Sequence, residues 1–452
     1  MALKQMDALA ALREAAGEVI ETSLCDVQGN WLALVNAEEG KRLAFAANGE
    51  AALSALWKDV EKEADVKDVH VSVMALNANN AALVRRYVKW TAPTACGTKG
   101  ASIGFSDWLG EADAVVAELF GKRQLKPVLV DFTTEDSEAL QRYFVQAVDT
   151  VTWGVLEEGY KEGYGANAAG LKTEEEIVKA LLYGYSMIGF DCSDKIDLGI
   201  EKLSDEAVDK RFEQFNETFR AALHASYLNA EFKVGTSKIT FTENQLHRIV
   251  LEYGEAIMHI QFIYNSYLKN TPWDIDFELD LSKPGKVLTP QEHYLIGNEL
   301  QRNGIKLSSI CLDPLKDSEA VNDNLQLHCE IADTFGYRLS FKNADIAMND
   351  TAAAMKYLKG KVHFKMNNIL WMSAIELVKA LDADLFGKLC AACGCEATAD
   401  AADRALVLGY RKALNPKEES NVAADMKAFL EAHHAEYAAA IKENVAAKLK
   451  NI

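Results

Sequence analysis

The chain has 452 residues, 49% of them hydrophobic and 25% charged, the balance of a globular protein with a sizeable core, not of a disordered or fibrous one. Its 48 basic and 67 acidic residues give a formal charge of −19. That field repels phosphate backbones and anionic lipid, so neither nucleic acid nor a membrane is expected as a partner, and an acidic small molecule would need local Lys or Arg at its site.

At the start, Met-Ala-Leu-Lys-Gln-Met-Asp-Ala-Leu-Ala mixes charge and apolar residues at helical spacing, unlike an export signal. No apolar run approaches the ~20 residues of a membrane span, so a cytoplasmic protein is expected. Residues 1–67 read as helices with some strand, including the amphipathic run Glu50-Ala-Ala-Leu-Ser-Ala-Leu-Trp57. Asp68–Leu76 alternates like a strand, Asn77–Trp90 follows as a helix, and the Pro-, Gly- and Thr-bearing stretch 91–100 marks a boundary.

From 101 onward, short β-type runs alternate with helical segments. The candidate strands are 101–105, 126–132, 186–190, 237–241, 275–280, 306–312, 337–342 and 361–366. Eight parallel strands with helical crossovers make an α/β fold, a (β/α)8 TIM barrel. The expected organisation is an N-terminal α/β extension (1–100), the barrel (101–382) and an Ala-rich helical C-terminal extension (383–452). Val422–Leu449 reads as one long amphipathic helix, packed on the barrel or on a partner subunit of a homo-oligomer.

Active sites of such barrels lie at the C-terminal strand ends. Here those positions are Asp107, Asp131, Asp191, Thr242, Glu278 with Asp280, Asp313, Lys342 and Lys365, a rim suited to an oxygen-rich ligand. The structural alternative is that strand ends are polar in any α/β protein, because the chain leaves the core there. No dinucleotide or P-loop motif, nucleophile elbow or H-E-x-x-H pair occurs; of nine His, only His363 falls inside a barrel strand. The eight Cys are scattered and read as free thiols. Cys390-Ala-Ala-Cys393-Gly-Cys395 has metal-like spacing but no second pair, which favours small thiols at a helix end.

Asp149-Thr-Val-Thr-Trp-Gly-Val-Leu-Glu-Glu-Gly-Tyr-Lys-Glu-Gly-Tyr-Gly-Ala166 and the following Leu171-Lys-Thr173 closely resemble the tagaturonate (fructuronate) epimerase family. Gly184-Tyr-Ser-Met-Ile-Gly-Phe-Asp-Cys-Ser193, Tyr253-Gly-Glu-Ala-Ile257, Asp276-Phe-Glu278, His293, Phe335-Gly-Tyr-Arg-Leu-Ser340, then His363, Lys365 and Trp371 follow in family order, so the resemblance spans about 100–385. It implies a barrel isomerase of hexuronate metabolism that interconverts the ketouronates tagaturonate and fructuronate with a divalent metal ion. The inverted carbon, C4, is not alpha to the C2 ketone, so enolisation cannot invert it. Retro-aldol cleavage of C3–C4, rotation of the aldehyde and re-addition can, with a Lewis acid on the enediolate. By this resemblance Asp191 or Glu278 moves the C4 hydroxyl proton, and His363 with the carboxylate of Glu278 lies at the metal. Lys172 and Lys365 hold the uronate carboxylate, with Asp107 also at the substrate. The structural readings are Asp191 as a helix cap, Glu278 as a lysine's partner and His363 as a hydrogen-bonded barrel histidine.

Four stretches depart from the family pattern. Ser106-Asp107-Trp108-Leu109-Gly110-Glu-Ala-Asp-Ala114 lacks the family's Arg and His, Lys342 stands where a histidine is usual, Met366-Asn367-Asn368 replaces a Thr-Ala-Gly-type run, and Ser282 replaces an acid. An ammonium at 342 disfavours a neighbouring dication but can stabilise an oxyanion, which makes Lys342 a candidate catalytic group. Two alternatives follow: a catalytically degenerate paralogue that binds a carbohydrate or a partner protein, and an aldolase acting through a Schiff-base lysine.

Overall fold

The computed structural model describes residues 2–49, 54–121, 125–281, 288–315, 323–348, 351–396, 403–450 and 452. The chain opens with helix Gln5–Ala16 and five strands: β1 Glu18–Val27, β2 Asn30–Ala37, β3 Gly40–Asn48, β4 Val60–Val66 and β5 Val69–Met74. They form one antiparallel sheet in the order β1-β2-β3-β5-β4. Sequence patterning expected mostly helix here. It failed because β2 and β3 are covered on both faces, by helix 5–16 on one and by Trp57, Val84 and Leu156 on the other. Runs such as Leu32-Ala-Leu-Val35 are therefore apolar throughout, and the two-residue period vanishes. Of the run 50–57, residues 50–53 lie outside the described set and Ser54–Leu56 is a single 3-10 turn. The helix expected at 77–90 is Ala78–Tyr87, capped by Asn77, followed by the turn Lys89–Thr91.

The barrel strands are β6 Ser102–Phe105, β7 Lys126–Thr133, β8 Gly165–Leu171 and β9 Met187–Asp191; after the hairpin β10 Phe232–Val234 and β11 Ser237–Ile239 come β12 Asp276–Asp280, β13 Ser309–Leu312, β14 Arg338–Phe341 and β15 Val362–Met366. The eight parallel strands close through pairing of β15 with β6. Seven of the eight expected runs are barrel strands. The exception is 237–241, which belongs to the hairpin. Thr242 is no strand end: its side chain accepts from Gln245 N and caps helix Glu243–Ile263. The barrel strand in its place is Gly-Ala-Asn-Ala-Ala-Gly-Leu, without a single β-branched or aromatic residue. Space dictates that composition: a Cβ on Gly165 would come within 2.9 Å of Val128 Cγ2 and 3.0 Å of Cys96 Sγ.

The segment between β9 and helix Glu243–Ile263 is an insertion carrying helices Asp205–Phe212 and Glu217–Tyr227 and the hairpin. After β15 the chain is helical. Val422–Leu449 is two helices, Ala423–Ala432 and His434–Leu449, broken at His433. Leu385, Tyr410, Met426 and Tyr437 from this region join the same continuous core as the barrel helices, and the Tyr410 ring stacks on Trp108 with centroids 3.3 Å apart. All eight cysteines are free thiols. Among the described residues no helix is long and apolar enough to cross a membrane.

Candidate active site

The barrel strands alternate apolar and polar residues. Ile103, Phe277, Leu279, Ile310, Leu339 and Phe364 join the core beneath the surrounding helices, whereas Ser102, Asp276, Glu278, Ser309, Arg338 and His363 bond to one another or to polar groups across the barrel. Barrel lumens are usually filled by branched apolar side chains. This one is filled by charge.

At the N-terminal end Asp276 forms the floor, its carboxylate accepting from Cys96 N at 2.6 Å, Gly97 N at 3.0 Å and Ser308 Oγ at 3.0 Å. The stretch 91–100 therefore seals the barrel from below. One tier up, Arg338 Nη1 donates to Ser102 Oγ at 2.8 Å, and Ser102 Oγ lies 2.9 Å from His363 Nδ1. The serine oxygen accepts from Arg338 and can either donate to Nδ1 or accept from it, according to the imidazole tautomer. Nε2 lies 3.8 Å from Asp131 Oδ2. Asp131 Oδ1 accepts from Asn167 Nδ2 at 2.9 Å and stands 3.6 Å from Lys365 Nζ, which also contacts Glu278 Oε1 at 2.5 Å. Ser309 Oγ donates to Glu278 Oε2 at 2.9 Å. Gly104 makes room for this tier, because a Cβ there would overlap the Asp131 carboxylate.

Burial alone would raise the carboxyls of Asp131 and Glu278, but the Lys365 ammonium, with His363, holds both below the usual carboxylate range. Burial would lower Lys365, yet Asp131 and Glu278 raise it above an ordinary lysine. Near the mouth Lys342 pairs with Asp280 and is likewise raised against its burial. Both amines are thus held as ammonium ions and are poor Schiff-base nucleophiles. At the rim Asp191 Oδ1 accepts from Ser193 N at 2.8 Å, capping the turn, while Oδ2 lies 3.7 Å from Lys172 Nζ. Lys172 also contacts Asp194 at 3.1 Å.

Glu278, His363 and Lys365 thus share the middle of the lumen, Lys342 sits above them with Asp280, and Asp191 and Lys172 form a pair at the rim. Asp107 is set apart: its two carboxylate oxygens accept from Gly110 N at 2.8 Å and Ala112 N at 2.7 Å, tying down the loop after β6. Ser282 lies outside the described residues. Sequence reasoning assigned no role to Ser102, Asn167 and Arg338. The signal was available for one of them, since Arg338-x-Ser340-x-Lys342 repeats the two-residue polar spacing of Asp276-x-Glu278-x-Asp280 and His363-x-Lys365.

Six polar atoms of this lumen are buried without a hydrogen-bond partner among the described residues: Asp131 Oδ2, Asn167 Oδ1, His363 Nε2, Ser340 Oγ, and Nε and Nη2 of Arg338. Each such atom costs on the order of 1–3 kcal/mol. Their concentration on one axis marks a place built to meet polar groups of another molecule. A cleft of about 620 Å³ lies elsewhere, between residues 95–98 and the starts of β12, β13 and β14. It is at the N-terminal end, away from the strand ends where barrel chemistry is done, so the lumen and its C-terminal mouth are the better candidate. Among the described residues, one group of potential metal ligands, His224, Glu243 and His247, stands outside the barrel, between the insertion after β9 and the helix that follows it.

A closed parallel barrel with a charged lumen and a mouth of paired amines and carboxylates defines a (β/α)8-barrel protein with an axial polar site. The chain belongs to the tagaturonate epimerase family (UxaE), whose family model matches residues 20–436. A tagaturonate/fructuronate epimerase of Thermotoga maritima is 27% identical over 383 residues, covering 82% of this chain and 78% of that protein. Crystal structures of the fructuronate-tagaturonate epimerase UxaE from Cohnella laeviribosi, one glycerol-complexed and one native, superpose with TM-scores of 0.86 and 0.85 at 25% identity, covering 99% of both chains.

Proposed function

We propose that this chain is a cytoplasmic epimerase that inverts C4 of a ketouronate of the tagaturonate/fructuronate type at the C-terminal mouth of its barrel. The observation that carries this reading is the cluster of buried, unpartnered polar atoms around Asp131, Lys365 and His363 in a member of this family. A polyhydroxylated acid offers the matching donors and acceptors. Residues 1–100 and 383–452 are then extensions flanking a catalytic barrel, 101–382.

In this mechanism the Lys172 ammonium, 41% exposed at its side chain, pairs with the uronate carboxylate and offsets the protein's negative field. Asp191 takes the proton of the C4 hydroxyl. The C3–C4 bond breaks, its electron pair passes through C2–C3 to the ketone oxygen, and the resulting enediolate is held by the ammonium groups of Lys342 and Lys365. The aldehyde fragment turns its other face, C3 attacks it, and Asp191 returns the proton to the C4 oxygen. Atoms and electrons balance without a co-reactant.

The barrel side chains do not fit a divalent ion at His363 and Glu278. Glu278 already serves Lys365 and Ser309, and the Lys365 ammonium stands between Glu278 and Asp131 where a shared dication would sit. The ammonium groups take over the oxyanion work in this reading.

Proton NMR of tagaturonate and of fructuronate incubated with the protein tests it. Interconversion is expected to survive chelation and to disappear in Lys365→Met. No interconversion with or without added divalent metals would defeat the epimerase reading, and a strict requirement for metal would defeat the amine mechanism alone.

A further inference from the structure

Outside the barrel, helix Glu217–Tyr227 of the insertion after β9 and the following helix Glu243–Ile263 bring two imidazoles and a carboxylate together. Glu243 and His247 are four residues apart in the first turns of helix Glu243–Ile263 and so share one face. His224 reaches them from helix Glu217–Tyr227, and its Nε2 lies 2.8 Å from His247 Nε2. One ligand atom from each of the three side chains falls within 4.8 Å of the others. On the far side of the buried His247 ring, Nδ1 donates to Asp209 Oδ1 at 2.7 Å, from helix Asp205–Phe212. Phe212 stacks on the His247 ring at 3.7 Å between centroids and so fixes its plane.

We propose that His224, Glu243 and His247 bind a divalent zinc-type cation. Two imidazoles and a carboxylate, with a fourth position left to water, are a ligand set that zinc accepts. The Asp209–His247 bond is the carboxylate–imidazole support that metal-bound histidines use: it keeps the Nδ1 proton in place and turns the Nε2 lone pair toward the ion. The two Nε2 atoms are a little too close for a shared tetrahedral ion, whose bonds of about 2.0–2.1 Å put ligands roughly 3.3 Å apart. The half-exposed His224 can supply the small outward movement, since it is the less enclosed of the two rings. Binding also requires His224 Nε2 to give up its proton to Nδ1 or to solvent. The ion ties helices Glu217–Tyr227 and Glu243–Ile263 together, with Asp205–Phe212 supporting through Asp209, and so fixes the insertion to the helix that follows β9. The site is distinct from the lumen and from the metal that the family resemblance implied.

Sequence reading passed over it because the ligands lie 19 and 4 residues apart and match no compact motif.

The test is zinc stoichiometry of the full chain after incubation with one equivalent of zinc and desalting, read by plasma mass spectrometry. It is run in a background with Cys390, Cys393 and Cys395 changed to Ser to remove competing thiols. About one zinc per chain is expected, with affinity weakened at least tenfold in Glu243→Gln and in His224→Asn and roughly 10–100-fold in Asp209→Asn. His247→Gln should abolish it, and the exposed and half-exposed positions keep the test valid if that buried variant does not fold. A thermal midpoint that rises with zinc in the parent and not in His224→Asn supports the clamp. No bound zinc in the parent, or equal binding by the parent and by His224→Asn with Glu243→Gln, overturns the proposal.

Discussion

Gly104 shows how one position without a side chain holds the site open. Any Cβ there would overlap Oδ2 of the Asp131 carboxylate, whose other oxygen is held by Asn167 and Lys365, so that it cannot turn aside without loosening those contacts. Gly104→Ala is therefore expected to cost about 1–3 kcal/mol, the usual range for overpacking, and to lower catalytic turnover with it. Urea denaturation beside the NMR assay checks both; an unchanged midpoint would mean that Asp131 has room to relax. At this scale the sequence was legible where polarity is rare. An Asp-x-Glu-x-Asp run on β12 or a His-x-Lys pair on β15 stands out in an α/β protein, and Glu278, His363 and Lys365 do come together. Ser102 and Asn167 were not legible, since an ordinary small polar residue acquires its role only from the strand opposite. Asp107 shows the limit of such reading: a carboxylate at a strand end looks the same in sequence whether it meets a ligand or, as here, accepts from two backbone amides.

Elements tell a similar story about context. Strand β8 escaped notice because Gly-Ala-Asn-Ala-Ala-Gly-Leu carries no β-forming side chains, whereas Ser-Lys-Ile-Thr-Phe at 237–241 has the right residues in the wrong place, on an excursion from the barrel. Tertiary packing outweighed propensity in both. The C-terminal helices give a measurable case of such packing. Tyr410 stacks on Trp108, and its hydroxyl donates at 2.5 Å to Asp136, which belongs to the capping box of helix Thr134–Leu140 after β7. Tyr410→Phe keeps the stack and should lose about 1.5–3 kcal/mol, the range for a hydrogen bond to a charged group. Tyr410→Ala loses both and should cost about 3–5 kcal/mol. Equilibrium unfolding of the two variants separates the contributions; equal losses would show that the stack on Trp108 adds nothing to the hydrogen bond.

For the whole molecule, acid should act in two stages. Burial holds His293 and His328 well below an ordinary histidine, His328 at about 4, and their Nδ1 atoms face each other at 2.9 Å. Folded-state values below the unfolded one mean that the unfolded chain takes up protons first. Stability is thus intact above about 6.5, the unfolded histidine value, and falls toward about 4 at roughly 1.4 kcal/mol per pH unit for each group. Asp131 and Glu278, also lowered, add a second loss below the unfolded carboxylate range of about 4. Asp113 and Asp345, raised by burial, work in the opposite sense. Denaturant midpoints measured at pH 7.5, 6 and 5 should decline steadily, and less so in His328→Asn; a flat profile would sink this account. Closure of the barrel adds a kinetic consequence. Ser102 meets His363 across 261 positions and Cys96 meets Asp276 across 180, so the closing seam and the floor of the cylinder are both completed by partners distant in the chain. Such high contact order slows folding. On the ribosome, β6 must wait beside an unpaired neighbour edge until β15 has been synthesised, an interval in which chaperone binding would count for more than in a helical bundle of equal size.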